Sequence, residues 1–70
     1  MTGAQQARLE EWGARRNQLA AKLERLARVA TQTAQGLRDG TPMSLPQVQS
    51  LQNRAQSVWE AIALERATRP

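Results

Sequence analysis

The chain has no cysteine and no histidine. That excludes disulfides, thiolate chemistry and imidazole as a base or metal ligand. Phenylalanine and tyrosine are also missing, and the two tryptophans, Trp12 and Trp59, are the only aromatics. Any core must therefore be aliphatic and alanine-rich. β-Branched residues are few and never alternate with polar ones, so strands are not expected. Acids are outnumbered, six against ten bases, which leaves a net charge of +4. No apolar run approaches the ~18 residues that a membrane span needs. The first residues, Met1 to Gln6, carry no apolar segment of the signal-peptide kind. The expected compartment is the cytoplasm.

What remains is a short, helix-forming chain. Seventy residues make one small domain. Chains of this size bury a limited share of their apolar surface and usually gain stability from a disulfide, a metal or a partner. With the first two excluded, a partner chain is the expected source, either another helical protein or a second copy. No cofactor and no small-molecule substrate is expected. Alanine and glutamine, both good helix formers, are abundant.

One stretch organises the sequence. Leu9, Trp12, Arg16, Leu19, Leu23, Leu26, Ala30, Thr33 and Leu37 follow one another in steps of three and four. That is the a/d seam of a heptad helix. Gly13, Ala20, Ala27 and Ala34 form a second column of small residues beside it, along which another helix could approach closely. Thr2 and Gln5 fit a capping box at the start, although the first four residues are expected to fray. Glu11 with Arg15, and Glu24 with Arg28, are spaced as i,i+4 ion pairs.

The first helix is expected over about residues 4–39. Gly40 suits a left-handed C-terminal cap and Pro42 follows it, so residues 40–43 form the turn. Ser44 with Gln47 then reads as a second capping box, with Met43 and Val48 placed for a hydrophobic staple. Pro46 falls in the first turn, where its missing N–H is harmless. The second helix runs over about residues 45–68, its seam formed by Val48, Leu51, Ala55, Val58 and Ile62. Glu65 and Arg69 are spaced to pair in its last turn. The expected fold of residues 1–70 is all-α, a coiled-coil-like antiparallel two-helix hairpin with a long first helix and a shorter second one.

At ~1.5 Å per residue the helices would be about 50 Å and 37 Å long. Pairing Leu37 with Val48 at the turn brings Ile62 to Leu23 and Arg69 to Arg16. On that count the seam before Arg16, including Leu9 and Trp12, outruns the second helix. Three readings of this overhang stand: Trp12 folds back on the hairpin, a second copy covers it, or a different protein does. Arg16 reads as a snorkelling side chain with Glu65 opposite it, and Thr33 as a seam residue bonding back to its own helix. The expected partner-binding residues are Leu9, Trp12, Leu19, Leu23, Leu26 and Trp59.

Enzyme activity is not expected, because the acids are scattered and two helices do not enclose a water-excluded pocket. The segment around Leu19 to Val29 is faintly similar to the first helix of all-helical chorismate mutases, which need a longer chain. The alternative to protein binding is nucleic acid. Arg8, Arg15 and Lys22 share a column at a spacing of seven, with Arg25 and Arg28 nearby, so a basic hairpin dimer binding RNA or DNA is the second reading. Glu10, Glu11 and Glu24 interrupt that stripe, and no aromatic interleaves it.

The long first helix, the break at Leu37-Arg38-Asp39-Gly40, and a second helix carrying Gln47-Val48 and Ala61-Ile62-Ala63-Leu64 resemble the small hairpin co-chaperones of type III secretion needle subunits. The resemblance covers the whole chain by layout. It implies a non-enzymatic cytoplasmic adaptor that packs on a helical chaperone and keeps a needle subunit unpolymerised. The chain is more loosely similar to the small subunit of exonuclease VII, which is typically acidic.

Overall fold

The computed structural model describes residues 2–70. It contains two helices, α1 (Gly3–Arg38) and α2 (Leu45–Thr68), packed against each other as a hairpin. The molecule is a flat rod with extents of 58 × 16 × 12 Å.

Local chemistry sets both ends of each helix. At the start of α1 the Thr2 hydroxyl accepts from the Gln5 amide at 3.3 Å, and the Gln5 side chain accepts from the Thr2 amide at 3.2 Å. This reciprocal box starts the helix at Gly3; the expected fraying of residues 1–4 includes Met1, which lies outside the described residues. At the other end Gly40 takes φ +86°, a conformation that costs glycine little. The Thr41 amide reaches back to the Gly36 carbonyl at 2.8 Å and the Gly40 amide to the Leu37 carbonyl at 3.2 Å. That is a Schellman closure, which satisfies carbonyls the helix end would otherwise orphan. The connection is residues 39–44, slightly longer than the sequence implied. Ser44 and Gln47 form the second capping box, with Pro46 in the first turn of α2.

The core is thin. Val58 and Ala61 are the buried apolar residues among those described, and Glu65 is buried with them. On α1 the half-buried positions include Trp12, Arg15, Leu19, Lys22, Leu26, Val29, Thr33 and Gly36. This corrects the expected seam. Trp12, Leu19, Leu26 and Thr33 do face α2, but the column beside them is Arg15, Lys22, Val29 and Gly36. Leu9, Leu23 and Leu37 are 37%, 45% and 52% exposed. The reason lies in the turn. The returning chain passes over Gly36, where an added Cβ would stand 3.9 Å from the Thr41 Cβ. That places α2 along the 15–22–29–36 flank of α1.

The register also differs from the sequence count. Gln47 and Ser50 line a groove with Val29 and Thr33, Arg54 lines one with Arg25, and Pro70 lies beside Leu9. Each α2 residue thus sits about six positions further down α1 than expected, roughly 9 Å at ~1.5 Å per residue. Residues 41–44 run back along α1 before α2 begins, and this displaces the whole second helix. The seam does not outrun its partner at Trp12. Only the first turns of α1 extend past α2, and the one large apolar side chain there, Leu9, lies beside Pro70.

Candidate functional site: two faces and a clasp

Trp12 closes the open end of the hairpin. Its indole Nε1–H donates to Glu65 Oε1 at 3.0 Å, the one side-chain hydrogen bond between the helices among the described residues. Arg69 Nε donates to the same oxygen at 2.9 Å. The Arg16 guanidinium carbon stands 4.7 Å from the indole centroid, within cation–π range. Arg16, Glu65 and Arg69 also line one groove. Four side chains from two helices thus form a polar clasp. The Arg69 hydrogen bond, then the Trp12 hydrogen bond, hold the Glu65 carboxyl below its ordinary pKa of 4.5, against the opposing effect of burial. The pairing of Glu65 with Arg69 and its proximity to Arg16 were legible in the sequence; the Trp12 bond was not.

The clasp redistributes the expected partner-binding residues. Trp12, Leu19 and Leu26 are turned toward α2, while Leu9, Leu23 and Trp59 point outward, Trp59 at 68% exposure. At 100° per residue, Leu9, Arg16, Leu23, Ala30 and Leu37 fall on one flank of α1, with Ala20, Ala27 and Ala34 just behind them. Arg16, Ala20 and Leu23 share a groove with Glu65 and Arg69, so this flank borders α2 along one broad side of the rod. By the same spacing Ile62, Ala55, Val48 and Trp59 continue that side across α2. From Ala20 to Leu37 the α1 part of this face contains no charged residue.

The opposite broad side is basic. Lys22, Arg25, Arg54 and Ser57 line one groove between the helices, and Arg25, Arg28, Gln32 and Arg54 line its continuation. Arg54 comes from α2, and the α1 periodicity gave no signal for it. Of the expected basic stripe, Lys22, Arg25 and Arg28 reach these grooves. Arg8 instead lies beside Gln5, Leu9 and Pro70 at the end of the rod. Arg15 is half-buried at the helix interface: its Nη1 donates to Gln18 at 3.2 Å, and its Nε is shut from solvent without a partner.

Neither expected i,i+4 ion pair forms; among the described residues the one ion pair is Arg69 with Glu65. Arg15 is drawn into the helix interface and Arg28 into the groove, which removes both from their acids. Thr33 does bond back to its own helix, donating to the Val29 carbonyl at 2.8 Å. Among the described residues no helix is long and apolar enough to cross a membrane.

The fold and its surfaces define a two-faced helical hairpin, apolar on one broad side and cationic on the other. No family model, no curated protein and no solved structure matches the chain.

Proposed function

We propose that the chain is a non-enzymatic helical docking module, an adaptor or co-chaperone whose apolar broad side packs against a helical protein partner. The observation that supports this most is the outward leucine column. Leu9, Leu23 and Leu37 stay 37–52% exposed on a chain with so little buried apolar surface. Between Leu23 and Leu37 the flank carries only Ala27, Ala30 and Ala34, and an uncharged exposed strip of this kind suits an interaction site. Needle-subunit handling in type III secretion stays one version of this reading, resting on layout alone. The test is recovery of a bound protein from the native cell by the wild type and by Leu23→Glu. A partner captured by the first and lost by the second supports the reading. Equal recovery by both overturns it.

A second reading rests on the cationic grooves. Lys22 and Arg25 from α1 and Arg54 from α2 converge there, with no carboxylate among the residues lining either groove. Such a cluster suits phosphate oxygens of RNA or DNA, and binding by it would fall steeply with salt. Titration of labelled duplex and single-stranded RNA and DNA at two salt concentrations decides it. Absence of binding at low salt removes this reading.

A further inference from the structure

We infer that the occupant of the apolar broad side is a second copy of this chain, so that two hairpins close into a four-helix bundle. This rests on the docking reading above and gives its partner an identity.

The first observation is energetic. Among the described residues the hairpin buries two apolar ones, Val58 and Ala61, and it has no disulfide to supplement them. It also shuts Arg15 Nε from solvent without a partner while leaving Leu23 nearly half exposed. A lone pair of helices that shuts off a guanidinium nitrogen and exposes leucines is a poor endpoint for so short a chain. A second apolar face supplies what is missing.

The second observation is area. The 24 residues of α2 run about 36 Å beside α1, and the rod is 16 Å wide, so the side that both helices form covers roughly 600 Å² in outline. That flat outline is of the same order as the ~800 Å² of accessible surface that each partner contributes to a standard stable interface. Both helices present this side along the length of α2, as a bundle requires.

The third observation is self-complementarity. A two-fold interface brings the same patch against itself, so it must hold both projections and recesses. Leu23 and Leu37 project, while Ala27 and Ala30 leave low ground between them. Trp59 stands at the α2 edge, 68% exposed. The cations Lys22, Arg25 and Arg54 lie on the other side, and on this side Arg16 and Arg69 gather with Glu65 at the open end of the hairpin, which leaves its stretch from Ala20 to Leu37 of α1 without charge. In the bundle the two cationic sides face outward in opposite directions.

Sedimentation equilibrium of the purified full chain tests this. The expected mass is twice the 7.8 kDa of one chain. Leu23→Glu is expected to weaken dimerisation at least 100-fold. The substituted side chain is already half in solvent within one hairpin, so helix content should persist on dilution. Trp59→Ala should weaken dimerisation about tenfold or more. Arg28→Glu, on the far side, should leave it unchanged.

A wild-type chain that stays monomeric to millimolar concentration overturns the inference, as does a larger assembly. A dimer indifferent to Leu23→Glu overturns it too. The docking reading fails separately. A monomer that captures a protein in a Leu23-dependent way leaves that reading intact while removing the second copy. Loss of both dimer and capture removes the two together.

Discussion

The two flanks of α1 invite comparison, because they share one column and differ in everything else. Trp12, Leu19, Leu26 and Thr33 belong to both. The flank adding Arg15, Lys22, Val29 and Gly36 faces α2 and is half-buried; the flank adding Leu9, Leu23, Ala30 and Leu37 is mostly exposed. By hydrophobicity alone the second should have been chosen, since fully burying one leucine is worth about 1.5–3 kcal/mol. The hairpin instead follows its turn. The Schellman closure returns the chain over Gly36, and the Trp12–Glu65 bond fixes the same rotation at the other end. Local geometry decides which way a two-helix hairpin faces, and the apolar surface left over becomes available for contact.

The largest effect should come from the line that both flanks depend on. Val58 is 7% exposed at the centre of the contact. Val58→Asp places a carboxylate there with no partner, at a cost of about 3 kcal/mol or more. Helical circular dichroism should collapse at ambient temperature. A variant that keeps its helicity would show that α2 packs by some other line.

Next is the clasp. Trp12→Ala removes the apolar contact, the cation–π contact and the interhelical hydrogen bond together, and leaves Glu65 short of one donor. A loss of ~2–3 kcal/mol is expected in urea unfolding. Trp12→Phe keeps a ring over which Arg16 can lie but has no N–H, and should lose about 1 kcal/mol. Equal losses in the two variants would assign the stabilisation to the ring and none to the hydrogen bond.

Much of this hairpin could be read before any coordinates. Both capping boxes, the left-handed Gly40 and the bounds of α2 follow from contacts within four residues, and such contacts are written locally in the chain. The rotation and register of α1 were not legible. Heptad spacing selected leucines for the seam because it scores side chains, whereas the return path over Gly36 depends on backbone geometry through residues 39–44. The same limit hid the clasp. Trp12 and Glu65 are 53 positions apart, and an error of about six residues in register is enough to leave Trp12 without a partner. Arg54 was missed for a related reason: α2 carries few cations, so no periodic signal singled it out.

The turn gives a smaller effect with opposite signs at two glycines. Gly40 has φ +86°, and Gly40→Ala should destabilise by about 1 kcal/mol through backbone strain. Gly36 is helical, and a Cβ there would be at ordinary contact distance, 3.9 Å, from Thr41. Gly36→Ala should therefore stabilise by roughly 0.5–1 kcal/mol through helix propensity. If Gly36→Ala destabilises instead, the return path lies closer to α1 than the geometry states, and the choice of flank rests on a tighter contact still.

The smallest effect is a pH dependence at the clasp. Glu65 has its carboxyl pKa lowered, first by the Arg69 hydrogen bond and then by that of Trp12. A depressed carboxyl contributes stability that is fully present above its ordinary value of 4.5 and is lost as pH falls through its folded value. Wild type and Glu65→Gln should therefore differ by a constant margin from neutrality down to about pH 5, with the margin shrinking in the acid range below it. Arg69 has 60% of its side chain in solvent, so salt should screen part of this contribution. The portion owed to Trp12 should resist salt, because a hydrogen bond from a neutral indole is less sensitive to counterions. Repeating the acid titration at high salt thus separates the two donors. A margin that disappears entirely would make Arg69 the sole support of the carboxylate, and would leave Trp12 turned inward by packing alone.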